Sequence, residues 1–247
     1  MPFAIHRGQR IHFTVHGAGD VVVLQHGLLL DCKSWDQGGI VKALTDRFRV
    51  VCIDSLGHGL SDKPFDAGLY GQEERAGDVV AVLDAIGCER AHVVGHSMGG
   101  WIAVGLAKFR PERLASLVVG GWDVLQGLPE GRKGRLRFED FMAFARRTAP
   151  GLTEWITTDF EPGIRACFDA LYELDGAGAA LSSVGVPVML WNGRNDPVHD
   201  NMQAFSATEG LKFLSVAGDH LGIIFSHGVE SARGIGSFLA GSLRDRD

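Results

Sequence analysis

No uninterrupted apolar run in the 247 residues approaches the ~18 that a membrane span requires, so no membrane partner is expected. The opening residues, MPFAIHRGQRIHF, lack a secretory h-region and alternate as a strand does. Cysteine is scarce: Cys32, Cys52, Cys88 and Cys167 are scattered, without CxxC spacing. That pattern argues against a zinc or redox motif and for a reducing, cytoplasmic setting. Basic charge is short as well, with 24 Lys and Arg against 30 Asp and Glu and a net charge of −6. No basic stripe exists to neutralise a phosphate backbone, so nucleic acid is not an expected partner. Internal repeats and low-complexity tracts are missing. Gly17-Ala18-Gly19 and Gly57-His58-Gly59 lack the third glycine and the following βα context of a dinucleotide-binding turn. What is present is an ordinary globular composition, 45% hydrophobic and 22% charged, long enough for one sizeable α/β domain or two small ones.

Apolar alternation places strands near 3–7 and 10–16, joined at Gly8-Gln9. Short apolar runs follow at 21–25, 49–54, 91–96, 114–120, 186–193 and 212–218, and these read as buried strands. Helical patterns lie between them, near 34–45, 72–86, 98–110, 164–175, 199–207 and 222–243. The rhythm breaks at 123–162, a stretch with a basic, Gly/Pro-punctuated start and one amphipathic helix, LRFEDFMAFARR. Strands alternating with helices imply a mostly parallel sheet covered on both faces. In such sheets the reacting groups gather in loops beyond the carboxyl ends of the strands.

One such loop holds Gly95-His96-Ser97-Met98-Gly99, a G-x-S-x-G pattern between an expected strand and an expected helix. A serine there sits on a strained turn that exposes its oxygen. Side chains two residues to either side would collide with the crossing strand and helix, which accounts for Gly95, Gly99 and Gly100. The Met98 amide, at the helix N-terminus, would favour a developing negative charge. A serine hydroxyl needs a base. Of ten histidines, His220 in AGDHLG follows the last expected strand. Asp196 in WNGRNDP follows the preceding strand and would orient the imidazole; Asp219, Asp123 and, as base, His199 are the competitors. His12 and His16, like His92 and His96, are spaced i, i+4 on strands, about 13 Å apart and too far to share a metal.

His26-Gly27, the loop Asp54-Ser55-Leu56-Gly57-His58-Gly59-Leu60-Ser61-Asp62, and then GHSMGG, NGRNDP and GDH resemble the α/β-hydrolase superfamily over nearly the whole chain. The resemblance implies an α/β-hydrolase fold, a mostly parallel eight-stranded sheet with the second strand antiparallel, helices on both faces, and a short helical lid after strand six. The core is then 1–122 and 163–247, and the lid 123–162. It also implies an oxyanion hole formed by the backbone amides of Leu28 and Met98, and a mainly structural Asp54 loop. Phe138, Phe141, Met142 and Phe144 crowd one side of the lid helix, and Trp35 and Trp122 are candidate substrate-binding residues beside strand ends. The lid stretch GRKGRLR is a candidate attractor of carboxylate-bearing substrates.

The expected activity is that of a serine hydrolase on a small-molecule ester or lactone, passing through an acyl-enzyme, with no metal or organic cofactor needed. Relatives with an aspartate nucleophile, the epoxide hydrolases and haloalkane dehalogenases, are disfavoured by Ser97. Carbon–carbon bond hydrolases of diketone-type substrates usually carry Asn before the serine, where this chain has His96. A slow-turnover small-molecule receptor with an intact triad is the alternative outside ordinary enzymes.

Overall fold

The computed structural model describes residues 2–131 and 134–244. Strands β1 (Phe3–His6) and β2 (Gln9–His16) form the expected hairpin, with Gly8 at φ 77 in its turn. Then come β3 (Asp20–Gln25), α1 (Lys33–Gln37), α2 (Ile40–Thr45), β4 (Phe48–Ile53), α3 (Gln72–Ala85), β5 (Ala91–His96), α4 (Met98–Phe109) and β6 (Leu114–Gly120). An insertion follows. It carries the two-residue strands β7 (Glu130–Gly131) and β8 (Gly134–Arg135), then α5 (Phe138–Thr148), α6 (Glu161–Ala170) and α7 (Ala177–Ser183). The chain closes with β9 (Val188–Gly193), α8 (His199–Glu209), β10 (Lys212–Val216), α9 (Gly222–Phe225) and α10 (Gly228–Arg244).

Eight strands make one sheet in the order β1-β2-β4-β3-β5-β6-β9-β10. Only the pairings of β2, with β1 and with β4, are antiparallel. From β3 the chain crosses to β4 on one side and later to β5 on the other. This reversal opens a crevice beyond the carboxyl ends of β3 and β5, the place where such sheets bind ligands.

Side chains alternate across the strands because successive Cβ atoms point to opposite faces. Val23, Val51, Val93, Leu117 and Leu190 face α3, α4 and α8. Val22, Val50, Val94, Val118 and Trp191 face α1, α2, α9 and α10. A third cluster belongs to the insertion, where Phe138, Met142 and Ala145 of α5 pack on Ile164 and Phe168 of α6 and reach Leu29 of the loop after β3. Among the described residues no helix is long and apolar enough to cross a membrane.

Three expectations need correction. The helix over 34–45 is two helices, broken at Gly38-Gly39. Gly39 takes a left-handed φ of 75, and a Cβ on Gly38 would collide with the Ile224 carbonyl of α9. The last helix is likewise two, α9 and α10, and a Cβ on Gly228 would collide with the Gly38 carbonyl. Both breaks thus serve one close backbone crossing, which no periodicity reports. Finally, a boundary at 162 would cut α6 after its second residue, whereas Ile164 and Phe168 pack with α5. The segment that packs as one unit therefore runs beyond 162.

Candidate active site

Ser97 sits at the β5–α4 junction with φ 56 and ψ −117, one of three non-glycine positive-φ residues among those described. The strain is over-determined by its neighbours. The Ser97 amide donates to the Gly120 carbonyl at 2.8 Å, and its carbonyl accepts from the Trp101 amide at 3.0 Å. A Cβ on Gly95 would collide with the Gly99 carbonyl, and one on Gly99 with the Gln25 carbonyl. Only glycines let strand and helix cross this closely, as the motif requires.

Asp196 follows β9 and is buried, while His220 follows β10 with its side chain 40% exposed. His220 Nδ1 donates to Asp196 Oδ2 at 2.9 Å. Burial alone would raise the Asp196 carboxyl, but the His220 hydrogen bond and charge, with the Val198 amide, hold it below the usual carboxylate range. The carboxylate is therefore ionised and fixes the imidazole with Nε2 free. Ser97, Asp196, His220, Leu28 and Trp122 all line one cavity of about 1080 Å³ at the sheet's carboxyl edge. The structure joins Asp196 to His220; among the described residues the Ser97 side chain makes no hydrogen bond. The amides of Leu28 and Met98 likewise have no acceptor among those residues. A Cβ on Gly27 would lie 3.1 Å from Ser97 Cβ, so the loop after β3 runs tight against the serine.

The competing groups have other work. Asp123 accepts from the Leu125 and Gln126 amides and from Asn201 Nδ2. Asp219 Oδ1 accepts from the Gly222 amide at the start of α9. His199 bonds Ser215 and Asp200. Asp54 holds its loop together, accepting from His12 Nδ1, the Cys32 amide and the Leu60 amide. The donor atoms of His12, Cys32 and Asp54 lie within 4.8 Å of one another, the spacing of a metal cluster. Burial, followed by the neighbouring Asp54 carboxylate, drives the Cys32 thiol pKa far up.

Trp122 lines the cavity; Trp35 does not. Trp35 is 1% exposed in the cluster formed with α2, α9 and α10, on the other face of the sheet. It lies near a strand end in sequence, but α1 turns its ring into the core. Phe138 and Met142 are buried in the insertion, whereas Phe141 and Phe144 face the cavity. Of the GRKGRLR stretch, Arg132 and Lys133 lie outside the described residues. Arg135, Arg137 and Arg147 line the cavity beside Glu130 and Asp140, and Arg137 pairs with Asp140 at 3.1 Å.

His96, whose strand spacing spoke only against a shared metal, lines the cavity. Its Nε2 donates to the His220 carbonyl at 2.8 Å, and the two rings are 4.8 Å apart. Burial, with His220 adding to it, lowers its pKa to about 3, so this ring is neutral. Its position directly before Ser97 was the one available signal.

A family model for the alpha/beta hydrolase fold matches residues 20–155. The chain belongs to this family. Its curated relatives include a candidate carbamate hydrolase, RutD, of Caulobacter segnis, 43% identical over 117 residues, which are 45% of this chain and 43% of that protein. Epoxide hydrolase B of Mycobacterium tuberculosis is 33% identical over 197 residues, 70% of this chain and 52% of that protein. The chain thus spans about half the length of the curated relatives it matches. Among solved structures, the enol-lactonase from Burkholderia xenovorans LB400 superposes with a TM-score of 0.77 at 22% identity, covering 97% of this chain and 100% of that one. At that identity the likeness speaks for the fold alone. The fold is that of an alpha/beta hydrolase.

Proposed function

We propose that this alpha/beta hydrolase cleaves a small carboxylic ester or lactone through an acyl-enzyme on Ser97. The observation that carries the reading is the Asp196–His220 pair, 2.9 Å apart, facing the same cavity as a serine held on a strained elbow. Rotation of the Ser97 side chain brings its hydroxyl to His220 Nε2, which takes the proton as Oγ attacks the carbonyl carbon. Asp196 stabilises the resulting imidazolium without accepting its proton. The free amides of Leu28 and Met98 receive the developing oxyanion; losing one such donor typically costs about 100- to 1000-fold in rate. His220 then protonates the leaving alcohol, the ester bond breaks, and a water deprotonated by His220 releases the acid. For a lactone, acid and alcohol remain in one product.

Epoxide hydrolysis in this family resemblance goes with an aspartate nucleophile, and Ser97 stands in its place. A carbamate carbonyl would meet the same groups as an ester. The insertion, with Phe141 and Phe144 facing the cavity, acts as a lid and bounds the acyl pocket together with Trp122. Ser97→Ala is expected to abolish turnover of short p-nitrophenyl esters while leaving the circular dichroism spectrum and thermal midpoint unchanged. Undiminished hydrolysis by that variant overturns the mechanism.

A further inference from the structure

The loop after β3 closes as a turn, with the Leu30 amide donating to the Gly27 carbonyl at 3.1 Å. Leu28 and Leu29 are its central residues, and Leu29 takes φ 72. A positive φ in the third position defines the type II turn, which normally calls for glycine. A leucine there is strained and persists only where the surroundings over-determine it. Type I and type II turns differ chiefly in the orientation of the central peptide, here the Leu28–Leu29 unit. The Leu28 amide belongs to the preceding Gly27–Leu28 peptide, whose carbonyl accepts the turn-closing bond from Leu30, so whatever holds this turn closed in its strained form holds that amide.

Three contacts do so. The Leu29 amide donates to His58 Nε2 at 3.2 Å. His58 Nδ1 donates to the Leu56 carbonyl at 3.3 Å, so the ring is the neutral tautomer with its Nε2 lone pair turned toward Leu29. From the insertion, Trp155 Nε1 donates to the Leu29 carbonyl at 3.3 Å, and its ring packs on His58 with centroids 5.7 Å apart. The Leu29 side chain is buried in the same cluster as Phe138 and Phe168. His58 and Trp155 belong to different segments, yet they grip adjacent peptide groups of one strained residue.

We propose that His58 and Trp155 are positioning residues for the Leu28 amide, so that seating of the insertion and shaping of the oxyanion site are one event. The proposal rests on the serine-hydrolase reading above. The Leu28 amide has no acceptor among the described residues, and the loop that carries it lies against Ser97. His58 selects the flipped central peptide, and Trp155 locks it from the opposite side when the insertion is in place. An insertion that lifts away takes Trp155 with it and frees the turn to relax.

The test uses the full-length protein with a p-nitrophenyl ester as substrate and an alkyl boronic acid as a tetrahedral-adduct probe. Trp155→Phe keeps an aromatic ring and removes the donor. His58→Met leaves only a weakly accepting thioether, and His58→Gln supplies an amide oxygen in its place. One neutral hydrogen bond corresponds to roughly three- to tenfold. Trp155→Phe and His58→Met are therefore expected to lower kcat and boronate affinity together by about that factor, with KM within about twofold and His58→Gln restoring both. Boronate affinity and kcat held at the parent values in Trp155→Phe and His58→Met, whatever the change in thermal midpoint, overturn the proposal. So does a His58→Gln loss as deep as that of His58→Met. Failure of the underlying reading is seen in a different protein, as Ser97→Ala that still turns over ester and binds boronate.

Discussion

Ser97 and its glycines show how little room single residues have at the elbow. A methyl group at Gly99 meets the Gln25 carbonyl of β3, which is backbone and cannot swing aside. Gly99→Ala is expected to destabilise the fold by about 1–3 kcal/mol or more, measured by urea unfolding, and to abolish fluorophosphonate labelling of Ser97. At Asp196 the loss is electrostatic. Asn has the shape but not the charge, and it leaves His220 without a fixed tautomer. On the proposed mechanism, Asp196→Asn is expected to lower kcat by roughly 10⁴-fold with a small change in KM. The glycines, serine, histidine and aspartate are all legible in the sequence, because each answers a local demand of turn or chemistry. Trp35 and Trp122 are not separable that way: both sit near strand ends, and only the direction of α1 sends one to the core and leaves the other at the cavity.

Helices and strands divide along similar lines. The strands were legible because buried parallel strands read as short apolar runs bounded by glycine. The helix breaks at Gly38-Gly39 and before Gly228 were not, because their cause is the α1–α9 crossing elsewhere in the chain. The insertion is held differently from the core, by a small aromatic cluster. Phe168 lies under Phe138, Phe141 and Tyr172, with ring centroids 5.6, 5.2 and 6.1 Å away. Phe168→Ala removes a fully buried ring and is expected to cost about 3–5 kcal/mol at that site. Because this cluster is distinct from the two that cover the faces of the sheet, the loss is expected as faster proteolytic cleavage within 134–160, mapped by mass spectrometry. Cleavage spread evenly over the chain would count against a separately seated insertion.

The whole molecule carries an acid sensitivity set by buried neutral imidazoles. His26, His58 and His96 are each fully buried, and burial lowers all three, His96 to about 3. In the unfolded chain a histidine takes up a proton near pH 6.5. Between that value and its folded pKa, the unfolded state binds more protons, so stability is complete above pH 6.5 and declines as pH falls. For His96 the loss between pH 6.5 and 5 is of order 2 kcal/mol. Asp54 and Asp196, both held below the usual range, add stability that is present above about pH 4 and lost as pH drops through their folded values. The urea midpoint is therefore expected to fall steadily from pH 7.5 to 5; a flat profile would mean these rings are solvated.

The sequence by itself determined the strand-and-helix alternation, the elbow at Ser97 and the chain order Ser97, Asp196, His220, since periodicity, glycine placement and residue chemistry are local properties. The tertiary structure alone decided which aromatic rings reach the cavity, where helices break, and that His58, Trp155 and Leu29 meet. Those outcomes depend on contacts between segments as much as 126 residues apart, whose geometry is set by the packing of the whole sheet and not by any stretch read alone.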